Sequence, residues 1–362
     1  MTIQSLDKAV RSGTNSFEFI DVTSPTQRQS HAEVGLLTAM LGGGQVANFY
    51  NTDDKFVYDD MVSTIQLPTG KASDGYGNDL QKDKPRELMF RGGSYGFRWN
   101  VSPHDVKSKR KFGSNEKMTV EDHVVALSEK ADKAWALFTE LSYAQLLTTD
   151  TNYVAGGPAK VYEYHNTIEG SSRPAATFMD LDNTTDVWLA EQAQLDKLQE
   201  ACEKNGVSYT TPVFICGSSY FDKRYALEVN EGIAREIRGP LDLASMAIPR
   251  DSFGVEGGIF RRRYFESERT GAVFIRSSES ILSGTPLIPA DKAYLVPVGT
   301  SEMFARAFAP KTDMRYVNTT ALERYVGVEE HNERGITVQE EQNVLYLNRK
   351  PACIIALDEA AS

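Results

Sequence analysis

The chain has 362 residues, of which 41% are hydrophobic and 10% aromatic, and its formal net charge is -11 at pH 7. This length and apolar content can bury two or three packed units, which excludes a chain that is disordered throughout. The acidic balance argues against a protein that grips nucleic acid by neutralising phosphates. Residues 1–10 have no basic start followed by an apolar run, so we expect no cleaved signal. No apolar stretch approaches the roughly 20 residues that span a bilayer.

The three cysteines, Cys202, Cys216 and Cys353, are odd in number and far apart in the sequence. None belongs to a C-x-x-C motif, so their spacing indicates neither a disulfide framework nor a zinc site. The pattern fits a reducing cytoplasm. Each cysteine is expected to be a small, buried, apolar residue.

The first 117 residues are rich in turn residues and short β-type runs. Residues 1–48 predict an extended arm with one short helix from His31 to Leu41. Residues 49–117 alternate short strands with clusters such as Ser73–Asp79, which predicts a long two-stranded ribbon. Because two strands alone are only marginally stable in water, we expect this ribbon to lie on another subunit.

A long helix is predicted directly after the ribbon. Thr119-Val-Glu-Asp122 is an N-capping box, and apolar residues then recur with a period near 3.5. They stand at positions 120, 124, 127, 131, 134, 138, 141 and 144. A helix from Val120 to Leu147 would extend roughly 42 Å at 1.5 Å per residue.

The rest of the chain mixes strands and helices irregularly. Lys160–His165 alternates as a half-buried strand does, and Asp186–Lys204 has the pattern of a helix that ends at Asn205-Gly206. A buried strand is predicted at Pro212–Cys216. The other predicted strands are Ile259–Phe265 and Ala272–Arg276, which form a hairpin, and Tyr294–Val298, Ile336–Val338, Val344–Leu347 and Ala352–Leu357. The fold class is α+β, because these elements do not alternate as βαβ units.

Several segments resemble the major capsid proteins of tailed bacteriophages. The most specific is Leu287 to Gly299, Leu-Ile-Pro-Ala-Asp-Lys-Ala-Tyr-Leu-Val-Pro-Val-Gly, which is similar to the closing pattern of that family. The helix from Thr119 into Tyr143 is similar to the spine helix of the family. The other matching residues are Asn152-Tyr-Val154, Phe304, Ala309-Pro310, Val317-Asn-Thr319 and Arg349-Lys-Pro-Ala-Cys-Ile354. The order of elements resembles the Hong-Kong-97-like fold and, within it, the lambda-type coat proteins.

The resemblance implies a Hong-Kong-97-like major capsid fold of six parts. They are an N-terminal arm (1–48), an extended β-ribbon loop (49–117), a peripheral domain with the spine helix and its sheet (118–180), an axial domain (181–299), return strands of the peripheral domain (300–347) and a C-terminal strand of the axial domain (348–362). Such a protein is structural and not an enzyme. Its copies form the hexamers and pentamers of an icosahedral head around double-stranded DNA.

The resemblance also implies partners and a location. The partners are copies of the chain itself, a separate scaffolding protein, a portal and a decoration protein, with packaged DNA contacted only non-specifically. We expect a separate scaffold because no long charged helical segment precedes the arm. No cofactor and no membrane association are implied. Assembly in the host cytoplasm and a final place in the virion capsid are expected.

The run Asp180-Leu-Asp182-Asn-Thr184 supports an alternative from a different class. It matches the D-x-D-x-T loop of magnesium-dependent haloacid-dehalogenase phosphatases, in which the first Asp attacks phosphorus and the second is the acid/base. Such an enzyme needs an apolar strand just upstream and an acidic pair downstream, and this sequence offers neither. The competing interpretation is a polar turn that caps the next helix. A calcium loop fits only in part, because Thr185 stands where glycine should make the sharp turn.

Lys107, Lys109, Arg110 and Lys111 form the densest basic cluster, and Arg261–Arg263 form a second. Such runs are usually solvated. Acidic residues stand elsewhere in the chain, at Glu329, Glu330, Glu333, Glu340 and Glu341, so copies of one subunit could pair basic with acidic surface. We therefore predict that the first cluster lies at a subunit interface, with a solvated face as the alternative.

Overall fold

The fold is given by a computed structural model. It describes residues 20–21, 36–42, 46–53, 55–62, 84–107, 119–153, 160–182, 187–230, 264–267, 269–277, 286–311, 313–316, 318–330 and 335–359. The α-helices are α1 (Leu36–Gly42), α2 (Pro103–Val106), α3 (Val120–Thr148), α4 (Val187–Lys204) and α5 (Ser218–Asn230). The strands are β1 (Ile20–Asp21), β2 (Ala47–Tyr50), β3 (Lys55–Val62), β4 (Lys84–Arg91), β5 (Gly93–Val101), β6 (Thr177–Phe178), β7 (Thr211–Cys216), β8 (Tyr264–Glu266), β9 (Val273–Arg276), β10 (Lys292–Val298), β11 (Phe304–Phe308), β12 (Tyr325–Glu330), β13 (Ile336–Asn348) and β14 (Ile355–Asp358).

The first six-stranded sheet is organised around β13. Its order is β1-β12-β13-β11-β2, and β5 also pairs with β13. The sequence pattern predicts two short strands here, interrupted by a polar stretch, but β13 is one strand of 13 residues. It continues because buried polar residues inside it have partners. Glu340 accepts a hydrogen bond from Trp135, and Asn343 donates one to the carbonyl oxygen of Pro310.

The second six-stranded sheet has the order β6-β14-β10-β7-β9-β8. Six of the seven residues of its central strand β10 are buried, as the apolar run in the sequence predicted. The predicted hairpin is confirmed where it is described, because β8 pairs with β9 in antiparallel register. Phe214 of β7 stacks on Phe274 of β9 with ring centroids 4.3 Å apart. Mixed helix and sheet content agrees with the α+β prediction.

Helix α3, with 29 residues, packs on the first sheet. Its predicted capping box is confirmed, since Thr119 Oγ1 accepts a hydrogen bond from the Asp122 amide. Burial is concentrated in its C-terminal half, where Leu146 and Leu147 are fully buried. Among the described residues, no helix is long and apolar enough to cross a membrane.

The ribbon is shorter than predicted. β3 and β4 form a separate two-stranded sheet, but β5 leaves the ribbon and pairs with β13 over nine residues. Antiparallel pairing along the full length of β5 with the central strand β13 attaches it to a larger sheet, which is more stable than a two-stranded ribbon in solvent and accounts for the difference. The predicted tip, including Ser73–Asp79, lies outside the described residues.

The predicted strand Lys160–His165 is wrong. Only an isolated bridge joins Thr151 to Glu163, and a π-helix spans His165–Glu169. The alternation came from Tyr162 and Tyr164, which are buried. Their amides bind the loop after α3 rather than a strand, because Tyr162 donates to Asn152 Oδ1 at 2.6 Å and Tyr164 to the Asp150 carbonyl at 3.0 Å.

Candidate interaction surfaces

The two faces of the β3–β4 ribbon differ in chemistry and exposure. Phe56 and Phe90 are cross-strand partners on one face, and both are buried. Val57 and Met89 are the adjacent pair on the other face, and their side chains are 54% and 60% exposed. Period-two alternation around Phe56 and Phe90 could have predicted this face from the sequence. The ribbon therefore offers an apolar strip to solvent.

The base of the ribbon is fixed to its own chain. Phe90 contacts Tyr162 edge to face, with ring centroids 5.1 Å apart. The Arg86 guanidinium donates hydrogen bonds of 2.8 Å to the carbonyl oxygens of Thr167 and Ile168. The expectation that the ribbon lies on another subunit therefore concerns its outer face and tip, since these contacts hold its base within the subunit.

The end of the N-terminal arm is also held within the chain. The Glu140 carboxylate on α3 accepts hydrogen bonds from the backbone amides of Leu37 and Thr38, at 2.8 and 3.0 Å, and from the Thr38 hydroxyl at 2.8 Å. Burial raises the pKa of Glu140, and these three donors oppose the rise. One acidic side chain thus accepts hydrogen bonds from two backbone amides in the first turn of α1, where N–H groups have no intrahelical acceptor.

The N-terminal half of α3 leaves apolar side chains exposed. Val120, on the predicted apolar stripe, is 37% exposed, and Val125, beside the stripe, is 51% exposed. The first buried residue of the helix is Ala131. Uncovered apolar residues on a helix are suited to contact another protein surface.

Helices α4 and α5 enclose a fully buried arginine. The guanidinium of Arg224 pairs with Glu191 and Glu228 and lies 4.0 Å from the ring centroid of Trp188. Burial raises the pKa of Glu191, while its bond to Arg224 acts in the opposite direction. Outside this cluster, Leu189 and Tyr225 are 72% and 45% exposed. The same helices therefore carry a rigid ionic core and an apolar outer surface.

The predicted interface cluster is described only at Lys107, which is exposed and follows α2. Lys109, Arg110 and Lys111 lie outside the described residues, as do Arg261–Arg263. The acidic residues proposed as counterparts are partly engaged elsewhere. Glu340 is 1% exposed and bonded to Trp135, and Glu341 lies 3.7 Å from the Lys311 ammonium.

The structure does not gather a phosphatase site around Asp180 and Asp182. Both side chains are exposed, and the Asp182 amide donates to Asp180 Oδ1 at 3.3 Å, as in a local polar turn. The preceding strand β6 has two residues. In the described ranges, no group of three or more His, Cys, Asp or Glu could hold a metal ion. A cleft of about 270 Å³ between residues 208–210 and 299–302 contains one carboxylate, Glu302.

Comparisons with known proteins agree with this arrangement. The family described as "Phage major capsid protein E" matches residues 49–358. The major capsid protein of Pseudomonas phage KPP10 is 22% identical over 330 residues, covering 86% of this chain and 88% of the relative. A crystal structure assigned as a prophage capsid protein of E. coli CFT073 superposes with a TM-score of 0.57 at 12% identity. The superposition covers 95% of this chain and 100% of the prophage protein, which shows a shared fold.

The family match spans most of the chain, from the residues before β3 to the end of β14. Proteins of this family are structural subunits of the phage head, so the chain is a capsid component of a phage particle and not an enzyme. The polar turn at Asp180 and Asp182 is correspondingly a structural turn. The chain belongs to the phage major capsid protein E family.

Proposed function

We propose that copies of this chain assemble as hexamers and pentamers into an icosahedral head that encloses double-stranded DNA. The single observation that carries the proposal is the ribbon, which has one face packed on its own subunit and the apolar pair Val57 and Met89 uncovered on the other. The exposed apolar strip of the two-stranded ribbon is covered when another subunit packs on it.

The two sheets support the proposed division of the subunit into a peripheral and an axial domain. The first sheet and α3 form the peripheral domain with its spine helix, and the second sheet with α4 and α5 forms the axial domain near the capsomer centre. The exposed side chains of Leu189 and Tyr225 then face the neighbouring subunit of the same capsomer. Each contact is modest, and many simultaneous contacts stabilise the shell by avidity.

We propose further partners for the assembly of the particle. A separate scaffolding protein guides assembly in the host cytoplasm, and a portal and a decoration protein complete the particle. The cluster Lys107, Lys109, Arg110 and Lys111 contacts a neighbouring subunit. Packaged DNA is held by confinement rather than by tight binding, because a net charge of -11 repels phosphates.

Electron microscopy of the purified chain, alone and with the other head proteins, tests the proposal. Capsomers, tubes or closed shells are expected, and a small soluble oligomer under every condition would overturn it. The ribbon contact is tested by Met89→Lys, which should leave a folded subunit that fails to form stable shells.

Met89→Leu is the matched control, because it retains an apolar side chain of similar volume on the same strand. Normal shells from Met89→Leu and none from Met89→Lys assign the defect to the exposed strip. Equal assembly of both variants would remove the ribbon from the interface. Circular dichroism melting of the unassembled subunits checks that both variants are folded.

A further inference from the structure

Cys202 and Cys353 lie far apart in sequence and meet in the fold. Cys202 stands in the last turn of α4, and Cys353 ends a 3-10 helix that spans Pro351–Cys353. Cys353 Sγ lies 3.7 Å from the carbonyl oxygen of Ala201, the residue next to Cys202. The two helices that carry these residues are in contact, both side chains are buried, and both cysteines are free.

The 3-10 helix occupies a particular place in the topology. It lies on the connection between β13, which ends at Asn348 in the first sheet, and β14, which begins at Ile355 in the second. Helix α4 packs on β10 of the second sheet and also contacts this connection. A covalent bond between the two thiols would therefore fix the junction of the two sheets to α4.

We propose that Cys202 and Cys353 form an intramolecular disulfide when the protein meets a small peroxide oxidant. The bond itself depends only on the subunit fold. Its role in stabilising released particles rests on the proposed shell function.

The chemistry is the two-step oxidation of a thiol pair. The Cys202 thiolate attacks one oxygen of hydrogen peroxide, the O–O bond breaks, and protonation of the leaving hydroxide gives water and a sulfenic acid on Cys202. The Cys353 sulfur then attacks the Cys202 sulfur, the S–S bond forms, and the S–O bond breaks with release of a second water. Two thiols lose two electrons and two protons, which peroxide takes up.

The surroundings favour Cys202 as the first sulfur to react. The neighbouring Cys353 lowers the pKa of Cys202, and burial acts in the opposite direction. Both residues are at most 1% exposed, so a small uncharged oxidant reaches them more readily than a bulky disulfide does. Cys216 is equally buried and is paired with no other cysteine in the described ranges, and burial raises its pKa well above the ordinary value.

Peptide mapping tests the bond directly in the wild-type chain. Trypsin places the three cysteines in separate peptides, 198–204 for Cys202, 205–223 for Cys216 and 350–362 for Cys353. After treatment with hydrogen peroxide under native conditions, the expected product is peptide 198–204 linked to peptide 350–362, lighter than the two free peptides by two hydrogen atoms. Linkage of either peptide to 205–223, or unlinked oxidised cysteines, would overturn the proposal.

Variants and stability give a second measurement. Cys202→Ser and Cys353→Ser should each abolish the linked product, whereas the matched control Cys216→Ser should retain it. Because the bond closes a long loop, the oxidised wild type should melt about 5 °C or more above the reduced form. Oxidation that leaves the melting temperature unchanged in the presence of the linked peptide would overturn the stabilising role.

These measurements use unassembled subunits and are independent of shell formation. Shells that assemble from a chain in which the link never forms would contradict the disulfide alone. A chain that forms the link but never assembles would contradict the proposed function alone.

Discussion

The indole Nε1 of Trp135 on α3 donates a 3.0 Å hydrogen bond to Oε2 of Glu340 on β13. Burial raises the pKa of Glu340, and Arg324 and Trp135 oppose the rise. Arg324 lies 3.5 Å from the same carboxylate oxygen and also pairs with Asp132 on α3. This network attaches the long helix to the central strand of the first sheet through buried polar groups.

Trp135→Phe should therefore destabilise the subunit by about 1–3 kcal/mol, because a buried carboxylate loses its donor. Trp99→Phe is the matched control, since the Trp99 indole N–H has no hydrogen-bond partner among the described residues. Urea unfolding followed by far-ultraviolet circular dichroism measures both. A larger loss for Trp99→Phe would contradict the assigned role of the Trp135 bond.

Glu140→Ala should release the arm from the spine helix, because the Leu37 and Thr38 amides lose their acceptor. Hydrogen exchange at these two amides should accelerate roughly tenfold or more. Glu129→Ala, an exposed position on the same helix, is the control and should leave their exchange unchanged. Unaltered protection in Glu140→Ala would mean that other contacts hold α1.

Acidification should stabilise the subunit through its buried carboxyls. Burial raises the pKa values of Glu140, Glu191 and Glu340. A carboxyl with a raised folded-state pKa binds protons more tightly in the folded chain. Its contribution to stability is therefore complete below the unfolded-state pKa and is lost as pH rises through the folded-state value.

The free energy of unfolding, measured in urea, should accordingly increase as the pH is lowered through the raised folded-state pKa values toward the ordinary glutamate pKa. In Glu140→Gln, which removes one of the three titrating groups, this increase should be smaller. A wild type that loses stability over the same interval, or a variant with an unchanged slope, would contradict this origin of the pH dependence.

Truncation of two neighbouring residues on β4 should change the stability of the subunit by very different amounts. Phe90→Ala should cost about 3–5 kcal/mol, because Phe90 is 1% exposed and packed on Tyr162. Met89→Ala should change the stability of the unassembled subunit by less than about 0.5 kcal/mol, since its side chain is in solvent. Chemical unfolding of the two variants checks this, and similar losses would mean that the ribbon faces are misassigned.

The basic cluster is tested by reversing Lys109 and Arg110 to Glu. Assembly followed by sedimentation should be impaired, whereas the melting temperature of the subunit should hardly change, because charges at an interface between subunits are expected to contribute little to the folding of one subunit. DNA binding should also be unchanged. Normal assembly combined with reduced DNA retention would identify the cluster as a cargo contact and not a subunit interface.

Local patterns in the sequence determined much of the secondary structure. Thr119 and Asp122 marked the start of α3 because a capping box depends on residues three apart. Apolar runs located β7 and β10 for a similarly local reason, since an uninterrupted apolar strand is buried on both faces. The family resemblance, confirmed by the match over residues 49–358, came from such segments in order.

Tertiary structure decided what depends on residues distant in sequence. Glu340 is buried because Trp135 and Arg324 reach it, and no pattern near position 340 carries that information. Lys160–His165 alternates like a strand, yet its backbone amides donate hydrogen bonds to Asp150 and Asn152 and not to a neighbouring strand. Cys202 and Cys353 gave no spacing signal, because their contact exists only when the connection from β13 to β14 packs on α4. Spacing along the chain governs helices, caps and strands, whereas long-range packing alone selects the partners of buried polar and reactive groups.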